Sequence, residues 1–375
     1  MTTTGFDPRR SSARRTGAFK TATALASGLV VVLTVPAARA QSVPASGNLL
    51  PVLDAVHGVA PATVTTTANS VSVNLNDNNQ VVTWKSFDIG TGNSVDFSTA
   101  DTSTRLSIIN RVVGDGTNLY KSEIYGAING QSNVAVWLIN PSGITFGPGG
   151  TYSGGSLVLS TLDFSTEAEA ESFASGSAAP VDVNGSGGRI DLNGSGSLSS
   201  SGTTLLLGED IHVGKSINPG SNSSGAVTLA LAHAITFTNS AGDPLSFTIR
   251  AGTSLAVSAI SVTDGAEVRG DSVKLVAASP TAMLGALLST DTGTSLTATG
   301  ANGDVTLLTI PDAGGATNAI AANGNLTATG SVMVNASANA GVGGNVSAGQ
   351  QYQVTGSSVT LGQAATTIDQ ASPQR

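Results

Sequence analysis

Residues 139–161 read Ile-Asn-Pro-Ser-Gly-Ile-Thr-Phe-Gly-Pro-Gly-Gly-Thr-Tyr-Ser-Gly-Gly-Ser-Leu-Val-Leu-Ser-Thr. At their head, Asn140-Pro141-Ser142-Gly143-Ile144 has the chemistry of a tight turn between two strands. Pro141 presets φ at the first central position, and the Asn140 side chain can accept from the backbone just ahead of it. Gly143 supplies a positive φ where the chain reverses. Ile144 and Phe146 then alternate with Thr145, as in a half-buried strand. Pro148-Gly149-Gly150 marks a second corner, and Leu157-Val158-Leu159 a third strand. Strand, corner and strand thus follow one another within about twenty residues.

The same rhythm continues on both sides. Strands are predicted at 71–75, 81–84, 106–109, 135–139, 157–159, 188–192, 227–231 and 235–238, then at 246–249, 273–276, 305–308, 325–328, 332–335 and 358–361. Most are three to five residues long and bounded by Gly, Asn, Asp or Pro. The second half repeats a Gly/Asn-x-apolar-x-apolar unit, as in 225–229, 303–307 and 324–328, at an irregular spacing near 20 residues. Short strands with such a period predict an all-β, right-handed parallel β-helix, in which each coil buries its apolar side against the next. A β-sandwich is the competing fold. At roughly 20–25 residues and about 4.8 Å per coil, the expectation is about 14 coils in a rod of about 65 Å. The one helix-leaning segment, 166–173 (Thr-Glu-Ala-Glu-Ala-Glu-Ser-Phe), is read as a surface excursion. The Gly/Ser-rich stretch after it, 185–202, is read as continuing the shaft, with a flexible linker as the alternative.

Composition agrees with a β protein. Only 11% of residues are charged and 46 are Gly, so the Glu/Lys surface typical of helices is missing. Residues 1–40 look like a signal peptide. Arg9, Arg10, Arg14, Arg15 and Lys20 precede an apolar run from Ala22 to Val35, and Ala38-Arg39-Ala40 offers small-x-small cleavage before Gln41. The run is too short to span a bilayer comfortably. No other segment reads as a membrane span, so the expectation is that a separate protein carries the chain across any outer membrane. Removal of residues 1–40 takes six of the 16 basic residues and one of the 24 acidic ones, leaving a strongly acidic chain. Nucleic acid is therefore not an expected partner. There is no cysteine, hence no disulfide in an exported chain.

Enzyme signatures are sparse. His57, His212 and His233 have no second His or Cys at metal-ligand spacing, and neither a metal nor a cofactor is expected. No H-E-x-x-H, G-x-S-x-G or G-x-G-x-x-G occurs. Gly208 to Ser216 approaches a phosphate loop, ending in Gly214-Lys215-Ser216, but has one residue too many between its glycines. Asn218-Pro219-Gly220 then follows where a helix should begin, so it reads as a turn between strands. A polysaccharide-active β-helix enzyme would need clustered carboxylates beside basic residues. The basic residues here are scattered singly, and no catalytic residue is assigned. Arg269-Gly270-Asp271 is a cell-attachment tripeptide, equally readable as an ordinary β-turn. Trp84, Phe87, Trp137 and Phe146 stand out in a chain with 4% aromatics and read as core and cap packing, with a transporter-facing surface as the alternative.

Four motifs in order carry a resemblance. Trp84-Lys85-Ser86-Phe87-Asp88-Ile89-Gly90 resembles W-x-S-F-x-I-G, and Asn110-Arg111-Val112 resembles the end of L-N-R-V. Asn140-Pro141-Ser142-Gly143-Ile144 resembles N-P-N-G-I with Ser142 in place of the second Asn. Leu157-Val158-Leu159-Ser160-Thr161 resembles L-V-A-S-T. Together, over residues 60–175, they resemble the secretion domain of two-partner-secretion exoproteins, the filamentous-haemagglutinin family. The resemblance implies a capped secretion domain (41–175) followed by a β-helical shaft (176–375). It also implies export through the Sec translocon, then recognition in the periplasm by the POTRA domains of an outer-membrane TpsB-type transporter of the Omp85 superfamily. The product would be a secreted or cell-surface adhesin touching host-cell or matrix glycans or proteins, with a structural surface or biofilm component as the alternative. The implied recognition residues are Asn110 and Asn140, Pro141, Ser142, Gly143 and Ile144. A purely structural turn is the competing reading for the same residues.

Overall fold

A computed structural model describes residues 49–368 apart from 59, 78–79, 176–180, 186, 219–224, 238–246, 251–258, 279–285, 312–317 and 363–365. The expected signal peptide lies outside the described residues.

Three long sheets form the three faces of a parallel β-helix. The chain passes from one face to the next and returns to the first a rung later. On the first face the stacked strands run from Gln80–Ser86 through Leu106–Val112, Val134–Ile139, Leu157–Ser160 and Thr204–Gly208 to Tyr352–Thr355. The predicted strands are all present among the described residues, with ends shifted by up to three residues, as hydrogen-bonded ladders run past the apolar core of a strand; positions 238 and 246 of two predicted strands lie outside the described residues.

The ladders are in register, so like residues stack. On the second face, Val71, Val95, Ile128, Tyr152, Leu198 and Ile217 align one above another, and Val268, Leu296, Leu326 and Val346 continue the column. Every member is buried. This column is what a lone coil cannot supply: an apolar side chain with an apolar neighbour above and below. The buried interior runs unbroken from Ala62 to Ala348 and passes residue 175 without a gap.

The first rung is closed by antiparallel pairing. Val52–His57 runs against Gln80–Ser86, and Thr63–Thr66 against Ser70–Leu75. These strands cap one end of the stack and end its parallel ladders.

The rung count corrects the sequence estimate. Among the described residues eleven strands make the first face, one of them the antiparallel cap, so about ten rungs stack to roughly 45 Å. The difference lies in two excursions. Leu157 pairs with Thr204 and Val227 with Val273, steps about twice that from Thr204 to Val227. The surplus residues build a fourth, antiparallel sheet of Leu162–Phe164, Val181–Gly185, Ala234–Phe237 and Phe247–Arg250. Ragged repeats in the sequence are therefore insertions between regular rungs.

The first excursion also contains the helix Glu167–Ala174. Thr166 caps it, its Oγ1 accepting from Glu169 N at 3.2 Å, while Glu169 Oε2 accepts from Ser165 N at 3.0 Å. The segment is more than a surface excursion. Ala170, Phe173 and Ala174 are buried against the outside of the first face. There a second apolar cluster joins Trp137 to Phe173, Phe164 and Phe237. Ring centroids are 5.5 Å apart for Trp137–Phe173, 5.7 Å for Trp137–Phe237 and 5.4 Å for Phe173–Phe237. Central strands of the first face are thus covered on both sides, which is why Leu157–Ser160 and Thr204–Gly208 are buried at every position.

Candidate functional site

Asn140 to Ile144 forms the corner between the first face and the third. Gly143 N donates to Asn140 O at 2.9 Å, closing a four-residue turn, and Ser142 N donates to Asn140 Oδ1 at 3.0 Å. Gly143 has φ +116, and a Cβ there would lie 2.9 Å from Arg189 O on the next rung. Both the left-handed backbone and the close approach require glycine.

The Asn140 side chain faces inward and is fully buried. Its Nδ2 donates to Tyr120 O at 2.8 Å and to Ser122 Oγ at 2.9 Å, so one amide fastens its own corner to the rung before it. Ser142 Oγ donates outward to Leu119 O at 2.9 Å. Pro141 and Ser142 are partly exposed, whereas Gly143, Ile144 and Phe146 are buried. Beside the corner, Leu119 and Tyr120 are among the few large apolar side chains left exposed, at 38% and 44%. Sequence reading passed over this pair. The available signal was an apolar Leu-Tyr at the end of a loop opened by Gly114 and Gly116, a place where solvated residues are expected.

Asn110 lies elsewhere, one rung back on the first face. It stacks between Val82 and Leu138 in a column otherwise aliphatic, continuing through Leu159, Leu206, Leu229, Leu275 and Leu307. A buried amide there is tolerated because it is satisfied on both sides. Asn110 Oδ1 accepts from Trp84 Nε1 at 3.1 Å, and Nδ2 donates to Trp137 O at 3.0 Å. Its neighbour Arg111 points outward. Its Nε donates to Asp163 Oδ1 at 2.7 Å and a terminal nitrogen to Phe164 O at 3.2 Å, which holds the first strand of the side sheet.

The W-x-S-F-x-I-G stretch is also inward. Trp84 and Phe87 are buried and meet edge-on with centroids 5.3 Å apart. Asp88 accepts from Glu123 N at 2.9 Å, and burial raises its pKa to about 6 against the lowering effect of that hydrogen bond. Phe146 is buried in the interior, while Trp137 packs outside it under the side sheet. The expected packing role of all four aromatics fits their burial.

Lys215, from the stretch that approaches a phosphate loop, has a different task. It is 1% exposed, and its Nζ donates to Gly147 O at 2.9 Å, Gly150 O at 2.7 Å and Ser195 O at 2.6 Å. Three ammonium hydrogens thus meet three carbonyl oxygens, two at the corner after Phe146 and one at the corner of the next rung, the complete donor capacity of the group. Burial lowers its pKa to about 8. The flanking strands are Asp210–Val213 and Ser216–Ile217, so the predicted turn is present.

Arg269-Gly270-Asp271 is not a projecting loop. Arg269 and Gly270 end the strand Glu267–Gly270, and Arg269 pairs with Glu267 at 3.3 Å. Only Asp271 is exposed. The tripeptide sits on the second face, several rungs beyond the Asn140 corner, and shares no contact with it.

The family model described as "TPS secretion domain" matches residues 54–373, past residue 175 and through the stretch expected to be shaft. Among solved structures, the HMW1 secretion domain from Haemophilus influenzae is similar at 16% identity and TM-score 0.50, covering 84% of this chain and 98% of that one. The filamentous hemagglutinin secretion domain is similar at 14% identity and TM-score 0.49, covering 85% and 99%. At such identities the HMW1 likeness speaks to fold alone. No curated protein matches. With the family model spanning most of a chain that folds as a parallel β-helix, the protein belongs to the TPS secretion domain family of two-partner-secretion exoproteins.

Proposed function

We propose that the corner at Asn140–Ile144 is where an outer-membrane transporter of the TpsB type engages this exoprotein. The Sec translocon delivers the chain to the periplasm, and the transporter's POTRA domains meet it there. The observation that carries this reading is the division of labour within one motif. Asn140, Gly143 and Ile144 are buried and hold the corner's shape, whereas Pro141 and Ser142 remain partly exposed beside Leu119 and Tyr120. An apolar pair next to a rigid, hydrogen-bonded corner suits recognition by a partner sheet edge. Asn110 belongs to the same proposal indirectly, since it fixes the rung on which the corner sits.

Residues 41–175 carry the recognition elements in this reading. Folding draws on more, because the cluster around Trp137 recruits Val181, Val183, Leu205 and Phe237. After release, the protein serves at the cell surface as an adhesin-like or structural component, using the outward side chains of its faces as a multipoint polar surface, without catalysis. The pairing of Arg269 with Glu267 inside a strand favours contacts spread over the faces above use of the Arg-Gly-Asp tripeptide.

Secretion dependence is the test. The chain is expressed with and without the outer-membrane transporter encoded nearest to it, and supernatant is compared with periplasm. Release is expected only with the transporter. Leu119→Ser/Tyr120→Ser is expected to reduce release while the purified variant keeps its melting temperature. Asn140→Ala cannot serve alone, because it removes a buried anchor and reports on folding as well. Transporter-independent release, or full release of the double variant, overturns the assignment.

A further inference from the structure

His57 has no second His or Cys at metal-ligand spacing in sequence, yet the fold sets it against one face of the helix Glu167–Ala174. We propose that His57, Glu167 and Glu171 form a binding site for a single zinc ion, joining the capping strand Val52–His57 to that helix.

The donor atoms of the three side chains lie within 4.8 Å of one another. Glu167 and Glu171 are one helical turn apart, so their carboxylates share a face. His57 Nδ1 is 2.7 Å from Glu167 Oε1 and 3.4 Å from Glu171 Oε1. Tetrahedral zinc bound at about 2.1 Å places its ligand atoms about 3.4 Å apart. The Glu171 contact already has that spacing, and the Glu167 contact reaches it by a small side-chain rotation. One imidazole and two carboxylates suit zinc, whereas calcium and magnesium prefer oxygen alone.

The other ring nitrogen is held as metal-bound histidines usually are. His57 Nε2 lies 3.2 Å from Thr83 Oγ1, and Thr83 Oγ1 donates to Asp54 Oδ2 at 3.2 Å. A hydroxyl has one hydrogen, and the carboxylate is the stronger acceptor for it. Nε2 therefore carries its own hydrogen and donates to Thr83, which turns Nδ1 toward two carboxylates. That arrangement aims the Nδ1 lone pair into the space between two carboxylates, the donor set of a divalent metal ion.

A separate feature favours the ion. A cleft of about 470 Å³ opens beside the cluster, lined by His57, Asp77, Gln80, Glu171, Ser172 and Ser175 among others. Gln80 is 1% exposed, and its Oε1 has no hydrogen-bond partner among the described residues. The cleft admits water to complete a zinc coordination shell, and that water can in turn serve a buried oxygen left without a donor.

Calorimetry with zinc alone, on metal-stripped full chain, tests the site, with cobalt absorption as a second reading. One equivalent is expected, with visible bands of tetrahedral cobalt. His57→Ala should abolish binding, and Thr83→Val should weaken it about tenfold while leaving every ligand in place. His212→Ala and His233→Ala should leave the stoichiometry at one. If His57→Ala does not fold by circular dichroism, Glu167→Gln/Glu171→Gln on the helix surface carries the same test. No zinc uptake by the folded wild type overturns the proposal. Uptake undiminished in the His57 and double-Glu variants, or lost in His212→Ala, overturns it equally.

Discussion

The indole Nε1 of Trp84 donates to Asn110 Oδ1 at 3.1 Å, tying one rung of the first face to the next from inside the core. The same amide passes the link on through Nδ2 to Trp137 O at 3.0 Å. Three rungs are therefore joined by one buried side chain in an aliphatic column. Asn110→Leu would extend the column but strand the Trp84 N–H without a partner, while the Trp137 carbonyl, set in the parallel ladder of the two strands, loses only its second donor. A buried orphan costs about 1–3 kcal/mol, so a loss of about that size is expected, measured by urea unfolding. Equal or greater stability in the variant would show that packing outweighs these hydrogen bonds.

Asp88 predicts a pH dependence. Its folded pKa is raised to about 6 from 3.8 by burial. The folded state thus holds its proton more tightly than the unfolded chain. Stability from this group is fully present below about pH 4 and is lost as pH rises through about 6. Asp88→Asn removes the buried charge and can still accept from Glu123 N. The variant should be more stable than wild type at pH 7, by up to about 2–3 kcal/mol. The gap should close when melting is repeated at pH 4.

Lys215 acts in the opposite pH range. Burial lowers its pKa to about 8 from 10.5, so between those values the unfolded chain binds the extra proton. This group's linkage therefore makes stability rise with pH across that interval. Lys215→Met should flatten the rise. It should also loosen the 147–150 corner, whose two carbonyls lose their donor, seen as faster amide exchange at Gly149 and Thr151.

Arg111 and Asp163 form a largely buried pair at 2.7 Å, the side chains 14% and 15% exposed. Arg111→Ala leaves the Asp163 carboxylate uncompensated and should cost about 3 kcal/mol or more. Arg111→Met with Asp163→Leu should recover much of that. A double-mutant cycle reads the coupling, and additivity of the two single changes would refute it.

Phe173→Ala empties the centre of the cluster of Trp137, Phe164 and Phe237. A loss of about 3–5 kcal/mol is expected, with a shift in Trp137 fluorescence marking its exposure. An unchanged spectrum would place the helix elsewhere in solution.

Much of this was written into the sequence. Short strands closed by Gly, Asn and Pro, and the turn chemistry of Asn140-Pro141-Ser142-Gly143, are local properties, fixed by backbone sterics and alternation. The helix start at Thr166 was legible for the same reason. Tertiary structure alone decided which side chains meet across rungs. Nothing local in the sequence says which way Asn110 and Asn140 face, and stacking at about 4.8 Å per rung turns them inward, each serving atoms of neighbouring rungs. Lys215 finds Gly147 and Gly150 only because rungs overlay, and His57 meets Glu167 and Glu171 only because an excursion folds back across the cap. In a solenoid, contacts run perpendicular to the chain. The sequence states the length and chemistry of each strand, but insertions of variable length hide which residues lie one above another.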